Sequence, residues 1–126
     1  LLKEQEIMAV LPATDMARAS DFYANVLGLD PPQVLDDENL LYHSGNGTGF
    51  LLYKTDNAGS AKNTQMGWET NDLDGEVADL RSRGVVFEEY DFPGLKTEGG
   101  IASTPVGKAA WFTDTEGNIL NLFQRL

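Results

Sequence analysis

The 126-residue chain contains no cysteine and a single histidine, His43. The first absence excludes a disulfide frame and any thiolate metal site. The second excludes a two-histidine metal centre, or a histidine pair, within one chain. Positive charge is also scarce: 9 Lys and Arg face 20 Asp and Glu, a net charge of −11. Such a chain repels phosphate backbones and anionic lipid surfaces, so no nucleic-acid partner is expected. No apolar run approaches the roughly 20 residues of a membrane span, so no membrane partner is expected either. The stretch LLKEQEIMAV lacks a basic segment followed by an apolar stretch and a small-residue cleavage site, which makes the cytoplasm the expected location. No Ser-His-Asp order, phosphate-binding loop or dinucleotide-binding glycine pattern is present.

What the chain does have is an ordinary apolar share, 41%, and a length that predicts one domain with a sizeable core. It also has an internal repeat. Met8–Asp15 runs into a helical pattern ending at Gly28, and Gln65–Asp72 runs into another ending at Gly84. Asp15 and Asp72 are the expected N-caps, and the glycines the expected ends. Between them Met16, Ala19, Phe22, Tyr23, Val26 and Leu27 form one apolar stripe, predicting a single helix of about three turns, and Leu73, Val77 and Leu80 form the other. Asp74 and Glu76 near the start of the second helix, with Arg81 and Arg83 near its end, suit the helix dipole.

Three strand-like runs follow each helix, at 33–37, 39–44 and 49–55 and then at 85–91, 107–113 and 118–124, so each module reads β-α-β-β-β. Ser44–Thr48 and Asp114–Asn118 carry the Gly and Asn that hairpin turns need. The small polar stretch 58–63 reads as the linker between a module at about 6–57 and one at about 64–125. The stretch 93–105 is longer than a hairpin needs, and reads either as a lid or rim of a site or as a flexible surface loop.

With two β-α-β-β-β units, Phe22-Tyr23 ahead of Val26-Leu27-Gly28, and Asp114-x-x-Gly-Asn118 before the last strand, the chain resembles the vicinal oxygen chelate superfamily over nearly its whole length. That group comprises glyoxalase I, extradiol dioxygenases and bleomycin-resistance proteins. The resemblance implies an α+β fold in which two βαβββ modules form a curled, cup-shaped mixed sheet with the helices outside. Strand parity can be read beside it. Leu120 and Leu122 share the face expected under a helix, and Ile119, Asn121 and Phe123 the other. Met66, Trp68 and Thr70 are the more apolar parity of their strand, which leaves Gln65, Gly67 and Glu69 for the cup, with Met8, Val10 and Pro12 as the equivalent set in the first module. Val85 and Phe87 are expected under the helix, and Glu88 and Tyr90 toward the cup.

Metal-dependent relatives place His or Glu near the start of each module's first strand and Glu on a final strand. The matching positions here are Met8, Gln65 and Asn121, with the fourth at Leu52, or at Tyr53 if the register is shifted by one. Thioether and carboxamide are poor ligands for Zn²⁺, Ni²⁺ or Fe²⁺, so no metal and no cofactor are expected. The expected ligand contacts are Met8, Leu52, Gln65, Glu69, Glu88, Tyr90, Asn121 and Phe123, with the carboxamides of Gln65 and Asn121 orienting a weakly polar organic molecule. Trp68 and Trp111 could stack aromatic ligands but, as mid-strand residues, read as core, and His43 reads as a surface residue. Taken with the resemblance, these features imply a metal-free small-molecule-binding protein, sequestering a toxic or antibiotic compound and working as a homodimer. The alternative is a lyase, isomerase or dioxygenase-like enzyme that uses Glu69 or Glu88 as a base, or an unconventional metal. The competing reading of Glu69 is a solvated charge at a strand edge, and of Glu88 an exposed strand position.

Overall fold

Both helices begin where an aspartate supplies the missing acceptor. In a computed structural model describing residues 1–126, the Asp15 carboxylate accepts from the Arg18 amide at 3.0 Å and the Asp72 carboxylate from the Gly75 amide at 3.1 Å. Helix α1 covers Met16–Asp21 and α2 covers Leu73–Ser82. The Gln124 side chain caps α2 a second time, accepting from the Leu73 amide at 2.8 Å. The first helix is not the single α-helix its apolar stripe predicts. Over Phe22–Val26 it widens into a π-turn, with the Leu27 amide donating to the Phe22 carbonyl, before Gly28 takes φ +73°.

The fold is α+β, with ten strands in two mixed sheets. The chain divides into two compact units, residues 1–58 and 59–126. In unit 1 the strands are β1 (Ala9–Ala13), β2 (Gln33–Asp36), β3 (Asn39–Ser44) and β4 (Thr48–Lys54), in the order β1-β4-β3-β2 with β1 parallel to β4. Its core gathers Leu11, Ala13, Ala19, Tyr23, Tyr42, Phe50 and Leu52. The Tyr42 and Phe50 rings stack at 4.9 Å, and Tyr23 from the π-turn lies within 5.6 Å of both.

Unit 2 repeats the plan and extends it. Its strands are β5 (Thr64–Glu69), β6 (Asp91–Phe92), β7 (Leu95–Glu98), β8 (Ile101–Thr104), β9 (Gly107–Thr113) and β10 (Ile119–Arg125), in the order β5-β10-β9-β8-β7-β6. The first strand again lies parallel to the last. Leu73, Val77 and Leu80 of α2 are buried, as are Val85, Phe87, Phe112, Leu120 and Leu122. Between β9 and β10 the Asp114 carboxylate accepts from the Glu116 and Asn118 amides, both at 2.9 Å, and from the Asn118 side-chain amide at 2.8 Å.

Two expectations for this unit need correction. Residues 85–90 form no regular strand, although the Glu88 amide does donate to the Trp111 carbonyl at 2.8 Å. The stretch 93–105 is not a loop: it holds β7 and β8. Gly94 at φ +87° and the Gly99-Gly100 pair at +60° and +81° turn the chain tightly between β6, β7 and β8, so glycines that suggest flexibility in sequence are hairpin corners here.

Candidate functional site

On β9 and β10 the side chains alternate between a face packed under α2 and a face left open. Phe112 pairs with Leu120 and Ala110 with Leu122 on the packed side, while Trp111 pairs with Asn121 and Ala109 with Phe123 on the other. Asn121 also pairs with Gly67 on β5, and Phe123 with Glu69. The open face thus carries Gly67, Asn121 and Trp111 in one row across three strands.

Gly67 is a fitted residue in that row. A β-carbon there would overlap the Asn121 side-chain oxygen and come within 2.8 Å of the Asn121 carbonyl oxygen. The Asn121 carboxamide therefore occupies the space beside Gly67 that a side chain there would fill. Gln65 departs from the expected alternation. Ile119 pairs with Thr64 and Leu120 with Met66, which makes Gln65 the extra residue of a bulge. Its carboxamide oxygen is buried without a hydrogen-bond partner. An unpaired buried acceptor costs about 1–3 kcal/mol, and that cost is recovered if a ligand or water supplies a donor.

Next along the row stands an aromatic group. Tyr90 meets Trp111 edge-on at 5.6 Å and 76°, and Phe92 at 5.8 Å and 60°. The Trp111 indole N–H donates to the Thr64 hydroxyl at 3.0 Å, which fixes the ring's orientation. Burial pushes the Tyr90 phenol above its ordinary pKa, and the negative charge of Glu88 adds to the rise. With Leu95 and Ile119 these rings border a cavity of about 300 Å³, whose other wall is Lys62, Asn63 and Thr64. Trp111 is half-buried at this cavity, so its expected place in the core is corrected: the residue lies on the open face. Phe92, Leu95 and Lys62–Thr64 were not singled out from sequence. Phe92 shares its parity with Tyr90 and could have been found that way, whereas the Thr64 hydrogen bond leaves no sequence signal.

The carboxylate candidates fare differently. Glu69 is held at two points by Arg125, with Oε2 2.6 Å from Nε and Oε1 2.9 Å from Nη2, and both side chains are well exposed. This is a solvated ion pair at a strand end rather than a base poised in an apolar cup. Glu88 is half-buried beside Tyr90.

In unit 1, Met8 and Val10 are exposed while Leu11 and Ala13 are buried, the parity expected. Leu52 is corrected: it is fully buried in the core. It pairs with Leu11 and Leu40, so it belongs to the packed parity, while Leu51 and Tyr53 carry the opposite one. A second, wider concavity of about 580 Å³ lies among Thr14, Asp15, Met16, Arg18, Asp37, Glu38 and Lys54, a mostly charged and polar rim.

The positions matched to the relatives' metal ligands thus offer a thioether, two carboxamides and, at the fourth place, either the hydrocarbon of Leu52 or the phenol of Tyr53. Leu52 is sealed in the core, and the Asn121 oxygen is pressed onto Gly67. No three His, Asp or Glu side chains gather elsewhere. This donor set does not fit Zn²⁺, Ni²⁺ or Fe²⁺.

The paired β-α-β repeats, each closing its first strand onto its last in parallel, define an α+β protein of the vicinal oxygen chelate type. Residues 7–122 match the Glyoxalase/Bleomycin resistance protein/Dioxygenase superfamily, and the chain belongs to it. Among solved structures, TnmS3, an antibiotic binding protein from Streptomyces sp. CB03234, is 27% identical, with a TM-score of 0.69 over 96% of this chain and 97% of that one. A glyoxalase/bleomycin resistance protein from the same Streptomyces strain is 29% identical, with a TM-score of 0.64 over 91% of this chain and 96% of that one. The lactoylglutathione lyase from Agrobacterium tumefaciens is 18% identical, with a TM-score of 0.67 over 95% and 93%, a likeness of fold alone. A search of curated proteins finds no match.

Proposed function

We propose that this chain is a metal-free small-molecule-binding protein that sequesters a toxic or antibiotic organic compound on the open face of unit 2. One observation carries the reading: a cavity of about 300 Å³ walled by Tyr90, Phe92 and Trp111, on the same face as the Asn121 carboxamide. Apolar walls with a few placed polar groups are what ligand pockets are made of. The rings supply buried area at about 25 cal/mol per Å², and the Trp111–Thr64 hydrogen bond orders the wall before a ligand arrives. Asn121 and Gln65, on adjacent strands beyond the cavity lining, offer donors and acceptors to a polar group that extends past it, Gln65 through an oxygen that is buried in the free chain. The likeness to TnmS3 supports the antibiotic-binding reading.

A homodimer and a cytoplasmic setting belong to the same proposal. Light scattering would read the association with a second copy directly. The enzymatic alternative rests on Glu88, whose charge reaches the Tyr90 phenol, and it requires turnover that falls on Glu88→Gln. The test of the main reading is a mass-spectrometric search for compounds that co-purify with the chain. A stoichiometric organic ligand, lost on Trp111→Ala and recovered unchanged, supports sequestration, whereas a ligand converted to product supports the enzyme.

A further inference from the structure

The cavity of unit 2 is asymmetric in its chemistry. The strand order places the start of β5 on one side and β6–β7 on the other, with Trp111 of β9 and Ile119 of β10 between them. The β6–β7 side brings Phe92 and Leu95, next to Tyr90. The β5 side brings Lys62, Asn63 and Thr64, and Lys62 is the only charged residue among those lining the cavity. In a chain of net charge −11, Lys62 is the one charge on the cavity lining, with Glu88 close behind Tyr90 on the far side.

The hydrogen-bonding groups on that side supply several donors beside the one side-chain acceptor of Asn63. Lys62 has only N–H groups to offer. The Asn63 amide donates one N–H to the Thr64 carbonyl at 3.1 Å and keeps a second. The Thr64 hydroxyl already accepts from Trp111, which leaves its own proton to give. On the ring side, edge-to-face packing of Tyr90 with Phe92 and Trp111 leaves ring faces unstacked on one another, and Phe92 is 53% exposed. A flat ring system offers the most contact to such walls, and the volume lies at the small end of the roughly 300–1,000 Å³ range of ligand pockets.

From this we infer that the pocket selects a small planar aromatic molecule bearing an anionic oxygen such as a carboxylate, with its rings among Tyr90, Phe92 and Trp111 and its oxygen toward Lys62. This rests on the reading that the open face of unit 2 binds small molecules, and it adds the ligand's class. Long-range repulsion by the acidic chain slows the approach of such an anion. It is screened beyond about 8–10 Å at ordinary salt, whereas a direct contact with the exposed Lys62 is screened less.

The test uses the full chain and three probes: 2-naphthoate, its ring-saturated analogue decalin-2-carboxylate, and 2-naphthylmethylammonium. The readout is the indole N–H signal of Trp111, assigned with Trp68→Phe. The expected result is a saturable shift of that signal by 2-naphthoate, with affinity at least about tenfold above either other probe, the worth of one charge-assisted hydrogen bond or of the ring contacts. Lys62→Gln should weaken 2-naphthoate by about tenfold, while Lys54→Gln, in unit 1, should leave it unchanged. Equal binding of the decalin acid, tighter binding of the ammonium probe, or naphthoate binding that leaves Trp111 unmoved would each overturn the proposed class. If 2-naphthoate fails but other members of a chemically diverse library shift the Trp111 signal, the class falls and the binding reading stands. If nothing shifts it, both fall.

Discussion

Gly67→Ala is the smallest change that interrogates the open face of unit 2. Gly67 has no positive φ, so alanine is compatible with the backbone there, and restricting the unfolded chain should stabilise by about 0.4–1 kcal/mol. Against this, the new methyl overlaps the Asn121 carboxamide oxygen and meets the Asn121 carbonyl oxygen at 2.8 Å, closer than real β-carbons come. A side chain could swing away from the first contact; the second requires the β5–β10 pairing itself to shift. Overpacking of this kind costs about 1–3 kcal/mol, so the net loss should be about 1–2 kcal/mol. Both tryptophans, Trp68 and Trp111, lie in unit 2, so fluorescence-detected urea unfolding follows that unit. At about 1–3 kcal/mol per molar urea the midpoint should fall by roughly 0.3–2 M. Combining Gly67→Ala with Asn121→Ala relieves the first contact and keeps the second, so the double mutant should lose less than the sum of the two singles, with coupling of at least about 0.5 kcal/mol. A Gly67→Ala protein as stable as the parent, or strict additivity, would refute the placement of Asn121 beside Gly67.

Four further outcomes are expected. Leu122→Ala, removing a buried side chain under α2, should cost about 2–5 kcal/mol and Asn121→Ala, on the open face, clearly less; reversed costs in urea titrations would shift the β10 register by one. Asp114→Ala strips the acceptor from two backbone amides and the Asn118 side chain, and should lower the stability of unit 2 by about 3 kcal/mol or more in the same assay. Tyr42 in unit 1 carries a buried hydroxyl without a partner, so Tyr42→Phe should stabilise, by about 1 kcal/mol in a circular-dichroism melt. Burial raises the Tyr42 and Tyr90 phenols, so the stability they support is intact below the ordinary value near 10 and declines as pH rises through the higher folded values; Tyr90→Phe should flatten part of that alkaline decline.

Much of the fold is legible in the sequence because it is local. Asp15 and Asp72 cap the helices, Gly28 and Gly84 end their patterns with positive φ, and the Leu120–Leu122 parity marks the buried face. The misreadings concern strand pairing, across distance for Leu52 and within tight hairpins for residues 93–105. Leu52 follows the packed parity because it is registered against Leu11 and Leu40, a match that no count along the chain reveals. Residues 93–105 form strands because glycine corners bring β6, β7 and β8 side by side, although the same glycines in isolation suggest a loop. The candidate site divides in the same way. The open-face position of Asn121 followed from period-two alternation. The Gln65 bulge, the Glu69–Arg125 pair and the Thr64 anchor of Trp111 involve partners 47 to 56 residues away, and only tertiary structure brings these together.

The central claim, that ligand is held on the open face of unit 2 without metal, is tested most directly by nitrogen–proton correlation spectra of the chain treated with chelator and titrated with the compound that co-purifies with it. The account predicts stoichiometric binding in the absence of metal, with shifts concentrated at the Trp111 indole N–H and the side-chain amides of Asn121 and Gln65. Binding that requires added Zn²⁺, Ni²⁺ or Fe²⁺, or that leaves those three groups unmoved while shifting residues around Asp37, Glu38 and Lys54, would contradict it.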